Sequence, residues 1–282
     1  MAAMLSTAET AHADSFCTER MVPEEADRTT FWEHIYRYQF AAPYVLRKRV
    51  LDIACGDGYG SAALLAAGAE SVIGIDISED ICRRARRKYD VDARSGSAEK
   101  IPLPSSSIDI VVSFETIEHL QQPEKFMDEC VRVLAPQGML IISTPNADIT
   151  QANGVENPYH VREMNEREFR SALDQRFSSW RMFTQRPKTA AFWSRRSLAA
   201  DISFWHRFRR MNRLSRELTS RYCPHIVGDV GEDTRRSITK LIAANNFALF
   251  SSVDPFAVRP SSWLARERPH YFVAVAKNPL GR

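Results

Sequence analysis

Residues Val50-Leu51-Asp52-Ile53-Ala54-Cys55-Gly56-Asp57-Gly58-Tyr59-Gly60 constrain this chain more than any other stretch, because a short apolar strand runs straight into a turn with three alternating glycines. Glycine at such a turn permits positive φ and a close approach of ligand to backbone, and the helix predicted over Ser61–Ala67 offers its N-terminal amides. Sixteen residues past Gly60, the strand Ser71-Val72-Ile73-Gly74-Ile75 ends in Asp76, where a carboxylate can accept both hydroxyls of a ribose. Together these elements outline a βαβ unit for an adenosine ligand.

Charge narrows the ligand. A dinucleotide places its pyrophosphate at the helix N-terminus, where negative side chains are unfavourable. This loop carries Asp52 and Asp57. Two carboxylates there disfavour a nicotinamide dinucleotide and suit a ligand bearing an ammonium and a sulfonium, which describes S-adenosylmethionine. The pattern resembles motif I of the class I methyltransferases.

The resemblance continues along the chain. Ser95-Gly96-Ser97-Ala98-Glu99-Lys100-Ile101-Pro102-Leu103-Pro104 is similar to the family's adenine-side loop, and Ser106-Ser107-Ile108-Asp109-Ile110-Val111-Val112-Ser113 to its fourth strand. Ser97 departs from the pattern, standing where the family commonly has an Asp. A helix from Pro123 to Leu134, a turn at Ala135-Pro136-Gln137-Gly138 and a fifth strand over Met139–Thr144 follow. The implied fold is α/β, a Rossmann-like doubly wound seven-stranded sheet with a final antiparallel strand, near Tyr271–Ala276, and a helical insertion. The resemblance implies a cofactor site formed by Tyr38, Asp52, Ala54, Gly56, Gly58, Asp76, Ile77, Ser97, Ala98 and Phe114.

With 282 residues, 44% of them hydrophobic, the chain can form one sizeable α/β core plus an insertion. Its five cysteines contain no CxxC pair and favour free thiols in a reducing cytosol. Residues 1–18 begin with a stretch rich in Ala, Ser and Thr and lack a signal-peptide pattern, so a disordered N-terminus and a cytoplasmic location are expected. Residues 19–47 follow as a cofactor-capping segment with an aromatic helix over Phe31–Phe40, where Arg37 or Tyr38 could reach the methionine carboxylate. The spacing of Phe31, Ile35 and Tyr38 equally suits a core stripe.

A second cluster, Phe114-Glu115-Thr116-Ile117-Glu118-His119-Leu120, falls at the end of the fourth strand, where α/β folds place ligands. If a helix starts there, Glu115, Glu118 and His119 share one face. His160, in Asn157-Pro158-Tyr159-His160-Val161-Arg162-Glu163, could close the set. This E-x-x-E-H with a distant His is similar to the metal site of small-RNA 3′-terminal 2′-O-methyltransferases, and partly to ubiquinone-biosynthesis O-methyltransferases. Such a donor set suits Mg²⁺ or Mn²⁺, which would lower the pKa of a bound hydroxyl. His119 as a metal-free base, and acids that merely complement a helix dipole, are competing readings. Glu118 and His119 are the expected catalytic residues.

Residues 186–247 form the basic insertion between two parts of the catalytic domain, 48–185 and 248–282. Arg195, Arg196, Arg207, Arg209, Arg210, Arg213 and Arg216 alternate there with Trp193, Phe204, Trp205 and Phe208, a pattern of a basic amphipathic helix. It could be a lid, a peripheral contact with an anionic inner-membrane face or lipid-linked acceptor, or an RNA-binding surface. The overall resemblance is to bacterial methyltransferases associated with glycosyltransferases in surface-polysaccharide or glycoside pathways. It implies an O-methyltransferase acting on a sugar hydroxyl of a glycan or glycoside. A metal-dependent RNA 2′-O-methyltransferase and a non-catalytic S-adenosylmethionine-binding partner subunit are the alternatives.

Overall fold

The computed structural model describes residues 20–23, 25–26, 28–154, 157–185, 258–260 and 269–280. The segment expected to be disordered and the whole basic insertion, 186–247, lie outside these residues. The described elements are α1 (Arg28–Ala41), β1 (Arg49–Ile53), α2 (Tyr59–Ala66), β2 (Ser71–Asp76), α3 (Glu79–Tyr89), β3 (Asp92–Ser95), β4 (Ile108–Ser113), α4 (Pro123–Val133) and β5 (Leu134–Pro145). They continue with α5 (Ala147–Ala152), α6 (Glu166–Asp174), β6 (Phe177–Gln185), β7 (Arg259–Pro260) and β8 (Tyr271–Pro279).

One sheet unites the strands in the order β3-β2-β1-β4-β5-β8-β6-β7. Strands β1 to β5 run parallel, and β8 inserts antiparallel between β5 and β6. The reversal between β1 and β4 opens a crevice at the carboxyl ends of these strands, the place where ligands bind in open α/β sheets. Seven strands of ordinary length match the expected sheet; the two-residue β7 adds a short edge beside β6.

The strands read as nearly continuous apolar runs because both faces of the sheet are covered. Their period of two divides the core. Val50, Val112, Ile141, Val273 and Val275 pack with Phe31, Trp32 and Ile35 of α1 on one face. Leu51, Ile53, Val111, Leu140, Ile142, Phe272 and Ala274 pack with Phe126, Met127, Phe169 and Leu173 of α4 and α6 on the other. Local signals bound the helices. Ser78 caps α3, accepting from Ile81 N, with Glu79 and Asp80 in the first turn and Arg86, Arg87 and Lys88 in the last, in keeping with the helix dipole. Asn165 and Glu168 form a reciprocal capping box on α6.

One boundary differs from the sequence expectation. Ala135–Gly138, expected as a turn, lies inside β5, whose pairing with β4 shifts register between Ile108 and Ile110. Gly138 permits this irregularity, since a Cβ there would come within 2.8 Å of the Ala135 carbonyl oxygen. Among the described residues no helix is long and apolar enough to cross a membrane.

Candidate active site

The glycine-rich turn joins β1 to α2 at the crevice. Ala54, Gly56 and Gly58 adopt φ of 58°, 52° and 87°, the left-handed region that glycine occupies without strain. A Cβ added at Gly56 would meet nothing within 4 Å, so the space over the turn is open to a ligand. At Gly58 the same atom would lie 2.6 Å from Ala85 Cβ, because α3 packs against the turn.

Asp76 ends β2 beside this space. Its Oδ1 accepts from Arg20 Nη2 at 2.9 Å and from Ser78 N at 3.0 Å. Its Oδ2 accepts from Gly56 N at 3.1 Å. Ile77, next in sequence, is exposed, and Ala98 and Ser97 are half-buried on the adjoining loop. The Ser97 hydroxyl accepts from Glu99 N at 3.1 Å, closing its own turn.

Two loop acids have different roles from those the motif suggested. Asp57 is buried and faces α3, paired with Arg84 Nε at 2.8 Å and Lys88 Nζ at 2.6 Å. Its charge is therefore neutralised within the protein, and it does not select the ligand as the sequence argument supposed. Asp52 is buried, accepting from Ser61 Oγ at 2.6 Å and Tyr38 Oη at 3.1 Å. Burial outweighs these hydrogen bonds and raises its pKa from 3.8 to about 6.

That shift has a thermodynamic consequence. Between about pH 4 and 6 the native state binds more protons at Asp52 than the unfolded chain, so stability declines as pH rises through this window. Above it the ionised carboxylate costs about 3 kcal/mol, the energy of a shift of about two units. Asp52→Asn should remove this dependence. Denaturant unfolding at pH 4 and pH 7 should therefore show the variant gaining on the wild type at the higher pH; an identical difference at both would refute the assignment.

Tyr38 is committed to Asp52 and packs edge-on against Tyr59 and Phe114, with ring centroids 5.4 Å and 5.1 Å away. It therefore does not offer its hydroxyl to a methionine carboxylate. Arg37 is the better placed of the two residues. Its guanidinium is buried, stacks 4.3 Å from the Tyr271 ring centroid and donates from Nε to Gln185 Oε1 at 2.8 Å. Among the described residues its Nη1 has no hydrogen-bond partner, an unsatisfied donor that an anionic group would complete.

The E-x-x-E-H segment is not a helix with one carboxylate face. Glu115 has φ of 50°, Thr116 departs from helical geometry, and only Ile117–His119 form a single 3₁₀ turn. The Glu115 carboxylate accepts from Ser143 Oγ at 2.5 Å and lies 3.7 Å from Arg37 Nη2. Glu118, His119 and His160 form a group in which one ligand atom from each lies within 4.8 Å of the others. Of the four residues expected to converge, the structure brings together these three and leaves Glu115 outside the group.

The loop carrying His160 is pinned to this turn by Val161 N and Arg162 N, which donate to the Glu118 carbonyl at 2.8 and 3.1 Å. Thr144 Oγ1 donates to Glu118 Oε2 at 3.2 Å, while Glu118 Oε1 is buried without a hydrogen-bond partner among the described residues. Burial, and then the nearby Glu115 charge, push the Glu118 carboxyl well above the usual carboxylate range. The His119 and His160 ring centroids are 4.8 Å apart.

The comparisons converge on this architecture. Residues 51–142 match the family described as methyltransferase domain. These residues include the glycine-rich turn, Asp76 and the strands that border the crevice. A relative from Mycolicibacterium smegmatis, named "Probable S-adenosylmethionine-dependent methyltransferase", is 41% identical over 162 residues, spanning 55% of this chain and 62% of that protein. A protein of the same description from Mycobacterium tuberculosis is 40% identical over 161 residues, 55% of this chain and 58% of its own length. The chain therefore spans about three fifths of these curated relatives.

A ubiquinone biosynthesis O-methyltransferase from Sinorhizobium fredii is 34% identical over 109 residues, 37% of this chain and 44% of that protein. Among solved structures, an S-adenosylmethionine-dependent methyltransferase from Thermotoga maritima shares the fold with a TM-score of 0.54 at 16% identity, covering 89% of this chain and 93% of that one. The chain thus shares with that structure the sheet and crevice its glycine-rich turn implied.

Proposed function

We propose that this chain is an S-adenosylmethionine-dependent O-methyltransferase whose acceptor hydroxyl is deprotonated at the Glu118, His119 and His160 centre. The observation that carries the proposal is the convergence of these three side chains beside the crevice, with a buried Glu118 oxygen among them that has no hydrogen-bond partner among the described residues. The ubiquinone O-methyltransferase relative supports oxygen as the acceptor atom. The acceptor we propose is a sugar hydroxyl of a glycan or glycoside, as the sequence resemblance implies.

S-adenosylmethionine supplies an activated methyl group on a positively charged sulfur. The protein then has to hold the acceptor oxygen in line and remove its proton. Asp76 would accept the ribose hydroxyls in place of Arg20, and Arg37 would hold the methionine carboxylate. Glu118, His119 and His160 would hold Mg²⁺ or Mn²⁺, whose Lewis acidity would favour the ionised hydroxyl. The Glu118 environment supports a cation there, since an ionised carboxylate so buried is otherwise costly.

Transfer of labelled methyl to hydroxylated acceptors, with the product identified by mass, tests the oxygen assignment; methylation at nitrogen or carbon would overturn it. Cofactor binding is tested separately. Charge-assisted hydrogen bonds contribute about 1.5–3 kcal/mol each, so Asp76→Ala should weaken S-adenosylhomocysteine binding by about tenfold or more in calorimetric titration. Unchanged affinity in the folded variant would remove Asp76 from the site.

A further inference from the structure

We infer that Glu163 is a positioning residue for this centre, acting through the His160 ring. The inference rests on the reading of His160 as part of the centre. Glu163 Oε1 lies 2.5 Å from His160 Nδ1, and its other oxygen accepts from Thr150 Oγ1 of α5. Both side chains are largely shielded, with 14% of His160 and 11% of Glu163 exposed.

Hydrogen-bond chemistry sets the ring's tautomer. An ionised carboxylate only accepts, so Nδ1 of a neutral His160 carries the proton. Asn157 Nδ2 lies 3.0 Å from His160 Nε2 and donates to it. The lone pair therefore resides on Nε2, the nitrogen able to take a proton or a cation. Asn157 is the group that yields when it does so.

His119 is held in the same sense. Its Nδ1 faces the Tyr159 carbonyl oxygen at 3.1 Å, and its Nε2 lies 3.9 Å from Glu118 Oε1. Each imidazole thus has an acceptor behind Nδ1, the arrangement that orients histidines around metals and in proton-transfer sites. One carbonyl and one carboxylate fill these places. Only the carboxylate depends on a side chain, so Glu163 is the replaceable half of the arrangement. Thr150 braces Glu163 from a different element, which would be superfluous if the carboxylate merely solvated the loop.

Ring-nitrogen NMR of the full chain with ¹⁵N-labelled histidine, at mildly alkaline pH without metal, tests this directly. The His160 signals are assigned by their loss in His160→Gln. In the wild type, Nε2 of His160 should be unprotonated. In Glu163→Ala, and in Glu163→Met, which retains the side-chain bulk, the proton should redistribute between the two nitrogens, while Glu163→Asp should restore the wild-type pattern. A wild-type ring protonated at Nε2 would overturn the inference even if neither variant folds. So would a folded Glu163→Ala with an unchanged tautomer.

Mn²⁺ titration followed by electron paramagnetic resonance forms the second arm. Glu163→Ala should weaken Mn²⁺ binding by about 10–100-fold. Absence of Mn²⁺ binding by the wild type would count against the metal reading alone, because the tautomer measurement requires neither metal nor acceptor. If the wild type binds Mn²⁺, unchanged affinity in a folded Glu163→Ala would refute the positioning role.

Discussion

Chelation of divalent ions is expected to abolish methyl transfer while leaving S-adenosylhomocysteine binding intact, and added Mg²⁺ or Mn²⁺ should restore it. Glu118→Gln should have the same effect, lowering kcat by about 10²–10⁴-fold, the range associated with assisted proton transfer. The reason is local. Glu118 Oε2 has Thr144 as a donor, whereas Oε1 is buried without a hydrogen-bond partner among the described residues, and Glu115 adds a repulsive charge. A carboxylate in that position is strongly favoured by a cation and poorly suited to remain ionised without one. His119→Gln and His160→Gln should resemble Glu118→Gln. Glu115→Gln should not, because Glu115 is engaged with Ser143 and Arg37. Full activity in a chelated, metal-free sample would eliminate the metal and leave His119 or His160 as the base.

The cofactor side of the fold was legible because its constraints are local. Alternating glycines after a strand, and an acid at the end of the next strand, follow from backbone sterics and strand length. What Asp57 does was not legible, since only the packing of α3 brings Arg84 and Lys88 onto it. The E-x-x-E-H spacing was misleading for a similar reason. A shared helical face requires regular helix from Glu115 through His119, and the positive φ at Glu115 prevents this. Glu118 and His160 meet instead through backbone pairing of two loops separated by about forty residues in sequence, which periodicity cannot reveal. The supporting residues Ser143, Thr144, Thr150 and Tyr159 were missed for want of any motif. Asn157 and Glu163 each stand three residues from His160, a spacing that could have suggested partners for its two nitrogens.

Gly60→Ala should destabilise the fold by about 3 kcal/mol or more, despite alanine being the better helix former. Gly60 lies in the first turn of α2, where exchanging glycine for alanine would ordinarily stabilise by about 0.5–1 kcal/mol. Space reverses the sign. An added Cβ would fall 2.0 Å from Tyr38 Cζ and 2.4 Å from its hydroxyl oxygen. Tyr38 cannot swing aside cheaply, because Tyr59 and Phe114 pack its ring and Asp52 holds its hydroxyl. Overpacking of this kind typically costs about 1–3 kcal/mol, and displacement of Tyr38 adds the loss of a buried hydrogen bond. The same displacement would disturb the turn that borders the cofactor space, so cofactor affinity should fall as well. A double-mutant cycle isolates the cause. With Tyr38→Ala as background the cavity accommodates the methyl group, so Gly60→Ala should cost at least about 2 kcal/mol less than in the wild type. If the two substitutions are additive in denaturant unfolding, Tyr38 does not occupy the space over Gly60, and its placement between the turn and Phe114 is incorrect.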